Sequence, residues 1–547
     1  MKRSKPSLCM PRLAPCTQVG RLCLWLCCAT LASPISGAQL GRTTTVPMES
    51  GFRVQETLLA DFNADSIPDL LVACSNNRRA GRRQLRIHAG TNQTVWFQSE
   101  PDWIYDCPPD VVAFGTGDFL APTGDELLLF TVSGVYAWTP TANRRARPVQ
   151  LLDINLLWQL PDQRHLVPWQ DGIRDWNGDG LLDLLIPEPD GFRLAVRAAD
   201  NTADTAPGFL DPIILRMESR DPAALSTGQR ARRMEVRHQA RQLSLSLDLG
   251  DSDPKYQRTS LSIRESIAAP MQADWDGDGR PDLLALSPED LFVWPFNQPN
   301  GLPQAPPLRL EFPVAMDAAR FLDVSFSAHA VDLDRDRKSD CVILAGDRNS
   351  TEPRTQVLVY LQPNTQNASA SSQLFGEAGH PDQLLLVSGF AGMPQLTDCD
   401  GDGFPDLFLA RVQLTSMEAL RAATSGQINA ELLLYRNQNG RFSSRPDATM
   451  TLALPADEFT GTGSGAGVFA RWIGDVTGNG MQDLLLRDQP GRLRIFALGK
   501  TRNGLGFTPR PIFETTIADH ARIRFPNTGT PEILVLEGNK TVHMRFQ

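Results

Sequence analysis

The chain has 547 residues, 41% of them hydrophobic and 21% charged, which is the balance of a globular protein with a real core. Its formal net charge of −10 argues against nucleic acid as a partner, which would need a basic face. The 42 Gly and 41 Pro point to many turns and short strands rather than long helices.

Residues 1–38 differ from the rest. Lys2, Arg3, Lys5, Arg12 and Arg21 form a basic stretch without an acidic residue, "LCLWLCCATLA" at 22–32 is a short apolar core, and Ser36 and Ala38 are small residues placed for cleavage after Ala38. That is the three-part pattern of a secretory signal peptide, with an uncleaved anchor as the alternative, since a membrane span needs ~20 apolar residues. The expected destination is outside the cytoplasm, either extracellular or periplasmic, with no membrane span left after cleavage. Beyond the leader the net charge falls from −10 to about −15, because five basic residues are removed.

From residue 60 onward one pattern recurs. "ADFNADSIPDLLVA" begins at Ala60, "RDWNGDGLLDLLIP" at Arg174, "ADWDGDGRPDLLAL" at Ala273, "VDLDRDRKSDCVIL" at Val331, "TDCDGDGFPDLFLA" at Thr397 and "GDVTGNGMQDLLLR" at Gly474. Each has Asp at positions 1 and 9, oxygen-bearing side chains at 3 and 5, and then an apolar run. Two weaker copies complete the series. One keeps Asp118 and Glu126 at positions 1 and 9; the other keeps Glu532 at position 9 but has Arg524 at position 1. The copies recur about every 60 residues, which marks one structural unit repeated along the chain.

Each unit reads as an apolar strand, the Asp loop, a second strand such as "DLLLR", a turn, a third alternating strand such as "RLRIFAL", and a less regular fourth. Four antiparallel strands per unit make a β-propeller blade, so the predicted fold class is all-β, a propeller of eight blades with seven as the alternative, spanning residues 39–547. The last unit stops after its third strand, and the segment 42–48, "RTTTVPM", is placed to supply the missing outer strand and close the ring. Two insertions interrupt the period. One lies near 201–260 and carries Arg230, Arg232, Arg233, Arg237 and Arg241; it reads as a solvated outer hairpin, with a docking loop for an acidic partner as the alternative. The other, 415–426, opens Thr-x-x-Glu and predicts one short helix.

The loop spacing has a chemical reason. Alternate residues of a tight loop can aim oxygens at one centre, and six to eight oxygens at ~2.3–2.6 Å suit Ca²⁺ better than Mg²⁺. Gly at position 6 allows the turn. The candidate ligands are Asp61, Asn63, Asp65 and Asp69; Asp175, Asn177, Asp179 and Asp183; Asp274, Asp276, Asp278 and Asp282; Asp332, Asp334, Asp336 and Asp340; Asp398, Asp400, Asp402 and Asp406; and Asp475, Thr477, Asn479 and Asp483. The copies at Asp274 and Asp398 match the spacing fully. The copy at Asp61 has Ser66 at position 6, the copy at Asp332 has Arg337 there, which puts its turn in doubt, and the copy at Asp475 has only two carboxylates. These six loops hold twenty of the 63 acidic residues, so about five or six bound Ca²⁺ would neutralise most of the excess charge.

The loops resemble the FG-GAP/VCBS repeats of integrin α-chain-like propellers, over roughly residues 55–547. The resemblance implies Ca²⁺ in the hairpin between the first two strands of a blade, and a role in adhesion, recognition or scaffolding. No His or Gly-rich stretch offers an enzyme signature; "GTGSGAG" at 461–467 reads as an inter-blade loop. The expected function is a non-catalytic protein-interaction scaffold with mainly structural calcium. A carbohydrate-binding module is the alternative, and a polysaccharide lyase is less favoured. Trp138 and Trp294 recur in the third strand and Trp176 and Trp275 at loop position 2, which suits blade packing better than sugar platforms. Four cysteines remain beyond the leader. Repeat order favours disulfides Cys74–Cys107 and Cys341–Cys399, with free buried thiols as the alternative. Asn92, Asn349, Asn367 and Asn539 sit in Asn-x-Ser/Thr sequons.

Overall fold

A computed structural model describes residues 40–76, 81–92, 96–120, 124–140, 147–156, 158–159, 165–188, 191–198, 208–217, 232–237, 242–247, 266–267, 270–286, 290–296, 302–303, 307–311, 324–347, 354–362, 380–413, 415–455, 469–489, 491–502, 504–526 and 530–546. The leader, the 461–467 stretch, Arg230 and Arg241 lie outside the described residues.

Eight antiparallel sheets follow one another along the chain. The second strands of blades 1 to 8 are Asp69–Asn76, Glu126–Thr131, Asp183–Glu188, Asp282–Leu286, Asp340–Asp347, Asp406–Val412, Leu484–Gln489 and Glu532–Leu536. Each is flanked by the first and third strands of its own unit. In blade 1, Phe52–Ala60, Asp69–Asn76, Arg83–His88 and Trp103–Asp106 are hydrogen-bonded in sequence order. Eight blades therefore replace the seven-bladed alternative.

The second strands show why such short apolar runs suffice. Leu70, Leu71, Val72 and Ala73 are all fully buried. Successive side chains point to opposite faces of a sheet, and a blade has a neighbour on each face. Leu70 and Val72 pack with Leu534 and Leu536 of blade 8, while Leu71 and Ala73 pack with Leu127 and Leu129 of blade 2. Equivalent clusters fill every other seam of the ring. Ring closure occurs as the sequence suggests. Leu40–Pro47 pairs antiparallel with Lys540–Phe546 as the outer strand of blade 8, and Val46 joins the seam cluster with Val54 of blade 1. Each blade keeps only a short outer edge.

The insertion forms its own small sheet. Arg232–Arg237 and Gln242–Leu247 make an antiparallel hairpin, extended by Ser266–Ile267 on one side and by Trp158–Gln159, from the link between blades 2 and 3, on the other. The predicted short helix is present as Ser416–Ser425. The Thr415 side chain accepts from the Glu418 N–H, and Gly426 ends the helix in the left-handed conformation. Among the described residues no helix is long and apolar enough to cross a membrane.

Two expectations are corrected here. All four cysteines are free. Cys74 lies opposite Gln84, and Cys107 hydrogen-bonds the far side of that same third strand, through its N–H to the Arg83 carbonyl. Two ladder spacings put them roughly 9–10 Å apart, beyond the ~7 Å between Cα atoms that a disulfide tolerates. Cys341 packs toward blade 4 beside Trp275, while Cys399 packs toward blade 7 beside Trp472, so blades 5 and 6 separate the two side chains. Burial pushes the thiols of the part-buried Cys107 and the fully buried Cys341 up to about 12, away from the thiolate form that reacts. The tryptophans behave as packing residues: Trp176 and Trp294 have 0% exposure, Trp275 1% and Trp138 4%.

Candidate metal centre

All the Asp loops connect the first and second strands of their blades, and they touch from blade to blade. The Asp125 N–H donates to the Asp61 carbonyl, Ser339 N–H to the Asp274 carbonyl, and Gln482 N–H to the Cys399 carbonyl. The Gln272 side chain donates to the Asp175 carbonyl. The loops below are numbered by blade.

The position-9 carboxylate is a staple. One oxygen accepts the N–H of position 2: Phe62 to Asp69 (2.9 Å), Trp176 to Asp183 (3.0 Å), Trp275 to Asp282 (2.7 Å), Leu333 to Asp340 (2.9 Å), Cys399 to Asp406 (3.1 Å) and Val476 to Asp483 (2.9 Å). In five blades the other oxygen accepts an N–H beyond the third strand, from Gly90, Arg197, Phe296, Gln362 or Asn437. One side chain thus ties three segments of a blade. Burial raises its pKa, against the lowering effect of those N–H groups, to about 7 for Asp183, Asp282, Asp340 and Asp406 and to about 6 for Asp69 and Asp483.

Loop 2 shows that the staple is separable from the rest of the motif. Glu126 Oε2 still accepts from Phe119 and Leu120, although its loop has no acid at positions 3 and 5. In blade 8 the role changes. Glu532 meets His543 Nε2 at 2.6 Å, and Arg524 is drawn out of its own loop to Glu56 of blade 1, with Nε and Nη2 at 2.7 and 2.6 Å from its two oxygens. The guanidinium ties the last blade to the first and does not fill the loop.

The position-1 carboxylate organises the turn. Its Oδ2 accepts the N–H of position 6 in all six better loops, at 2.7 to 3.0 Å. Positions 4 and 6 both have positive φ in every one: Ala64 and Ser66 at 59° and 64°, Gly277 and Gly279 at 79° and 87°, Arg335 and Arg337 at 64° and 76°. Arg337 therefore does not break the turn of loop 5. It adopts the left-handed conformation, which is strained for a residue with a Cβ. The left-handed position 4 was missed from sequence, although Gly178, Gly277, Gly401 and Gly478 signal it.

The chain's own donors fit a hard cation in three loops. One carboxylate oxygen from each of Asp274, Asp276 and Asp282 lies within 4.8 Å of the others; so do those of Asp332, Asp334 and Asp336, and those of Asp398, Asp400 and Asp406. Asp336 Oδ2 is buried without a hydrogen-bond partner among the described residues, the kind of atom a bound ion would satisfy. In loops 1 and 3, Asn63 and Asn177 stand at position 3, and each accepts the N–H of position 5. In loop 7 the Thr477 hydroxyl lies 3.4 Å from both Asp475 and Asp483, and Asn479 stands at position 5 with its amide donating to the Leu498 carbonyl, so the loop offers an ion only two carboxylates.

Two arginines invisible to motif reasoning alter this ring. Arg436, just past the third strand of blade 6, puts Nη2 2.5 Å from Asp400 and 3.1 Å from Asp402. Burial works against its charge, but those carboxylates hold it protonated, above its ordinary value. Arg335 at position 4 of loop 5 reaches the other way. It stacks on Phe404 at 3.9 Å and donates to the carbonyls of Asp402 and Gly403 in loop 6.

No family model and no curated protein matches the chain. Among solved structures it is similar to an Agrocybe aegerita lectin that recognises non-reducing terminal N-acetylglucosamine, at 13% identity and a TM-score of 0.36 over 92% of this chain and 99% of that one. It is also similar to Sqt1 from Chaetomium thermophilum, at 11% identity and 0.39 over 92% and 100%. A third is a rhamnogalacturonan lyase from Bacillus licheniformis, at 11% and 0.32 over 92% and 75%. The blade count and topology rest on the strand pairing of this chain alone.

Proposed function

We propose that this chain is an exported, calcium-stabilised propeller of the FG-GAP/VCBS kind, serving as a non-catalytic scaffold for a protein or glycan partner. The observation that carries the calcium reading is the convergence of three carboxylates in each of loops 4, 5 and 6. Asp61, Asn63, Asp65 and Asp69, and Asp175, Asn177, Asp179 and Asp183, would hold further ions in loops 1 and 3. Bound calcium would supply positive charge to a ring of like charges, and the side chains do the rest: positions 1 and 3 offer oxygens in loops 4, 5 and 6, joined by position 9 in loops 4 and 6 and by position 5 in loop 5, while position 1 also shapes the turn and position 9 pins the loop to the blade. The proposed role is therefore mainly structural.

Metal analysis tests this. Residues 39–547, dialysed against calcium-free buffer, should retain several equivalents of calcium, and a strong chelator should lower the melting temperature. No retained calcium and a melting temperature indifferent to chelator would reject the reading.

A further inference from the structure

The seam where blade 8 meets blade 1 carries a cleft of about 270 Å³, walled by loop 1, by the connection after the third strand of blade 1, and by the third strand of blade 8. It occurs where the repeat has lost its cage. Glu532, the position-9 acid of blade 8, pairs with the buried His543, and both line the cleft. Arg545 lies beside them, half-buried. Its guanidinium sits 4.8 Å from the centre of the Trp96 ring and makes no hydrogen bond or ion pair with any described residue. Trp96 Nε1 and His543 Nδ1 are buried without hydrogen-bond partners among the described residues. Such orphaned atoms are uncommon in a native structure and mark places where a polar guest or ordered water belongs.

We propose that this cleft binds an acidic sugar residue, a ring with one carboxylate and several hydroxyls. The proposal deepens the scaffold reading above and rests on it, by naming a ligand class and a place. A guanidinium braced on an aromatic face without a carboxylate of its own is a fork for a planar anion. Glu532 does not compete for it, because that acid already accepts from His543 and from the Thr530 hydroxyl. The exposed Asn92 amide at the rim offers donors and an acceptor to hydroxyls, and the half-buried Ile67 and Pro68 offer an apolar wall for the C–H face of a sugar ring. A simple carboxylate would use the guanidinium alone; a neutral hexose would leave it unpaired.

Calorimetry on the calcium-loaded chain, residues 39–547, would use glucuronate, galacturonate and their short oligomers, with glucose, acetate and a short peptide bearing a free C-terminus as comparisons. Binding of an acidic sugar in preference to all three comparisons is expected. Arg545→Gln should weaken it by about tenfold or more, and Asn92→Ala, at an exposed position that folding does not need, should weaken it by a smaller factor. Calcium content and melting temperature should match wild type in both variants. No acidic-sugar binding, equal binding of acetate or the peptide, or binding unchanged in both variants would overturn the proposal. Because calcium is measured on the same samples, retained calcium with no sugar binding rejects the cleft alone, whereas absent calcium rejects the scaffold reading itself.

Discussion

Loop 5 carries arginine at positions 4 and 6, while its neighbour loop 6 carries glycine at both, yet it is loop 6 that has a guanidinium among its carboxylates. In loop 5, Arg335 leaves to stack on Phe404, and Asp332, Asp334 and Asp336 converge, with one oxygen of Asp336 unpaired among the described residues. In loop 6, Arg436 arrives from the third strand and binds Asp400 and Asp402. The difference teaches that the charge inside a cage is decided by what the neighbouring strands and loops send into it, as well as by the loop's own residues. Loop 5 stores backbone strain and keeps its oxygens available; loop 6 is relaxed and already holds an internal cation.

The largest expected effect is calcium removal. A ligand at a hundred times its Kd stabilises by ~2.7 kcal/mol per site, so stripping several loops should lower the melting temperature by about 5 °C or more, read by scanning calorimetry with and without chelator. The pH dependence follows from the staples. Their folded pKa values of about 6 to 7 lie above the ordinary 3.8. A raised carboxyl pKa costs the ion-free chain nothing below the ordinary value and destabilises it as pH rises toward the raised one. The chelated chain should therefore gain stability from pH 7 down toward pH 5. The calcium-loaded chain should lose affinity over the same interval as protons compete, and opposite slopes in the two titrations are the check.

Next in size are the staples. Asp340→Ala and Asp406→Ala each orphan two buried backbone N–H groups and should cost about 2–4 kcal/mol in denaturant melts. The two losses should be similar and should persist in chelator, because the staple acts without an ion; equality here would confine the contrast between the loops to their cages. Arg436→Gln should then split them. Loop 6 should gain calcium affinity, and the chelated variant should be less stable than chelated wild type, since its carboxylates lose their counter-ion. Unchanged calcium titration in that variant would erase the contrast. The smallest effect is Arg337→Gly, which relieves a left-handed φ of 76° and should stabilise loop 5 by about 1 kcal/mol.

The ring itself was legible because its signals are local and repeated. The Asp spacing, the apolar second strands and the unpaired final unit sufficed to place eight blades and a closing segment at 42–48, which the structure shows as the strand Leu40–Pro47. Legibility ended where side chains cross between units. Nothing in "LLLYRN" announces that Arg436 enters a loop some thirty residues upstream, and nothing around Arg524 announces its exchange of a loop for Glu56. The cysteines misled for a related reason. Nearness in repeat order says nothing about which face of a blade a residue occupies, and a step of one residue reverses the face.

The most direct measurement is a crystal structure of the calcium-loaded chain with the ions located by anomalous scattering. The account predicts ions among Asp274, Asp276 and Asp282 and among Asp332, Asp334 and Asp336, with Arg436 still bound to Asp400 and Asp402 and the weakest signal of the three at loop 6. Empty loops 4 and 5 in a calcium-saturated crystal would contradict it.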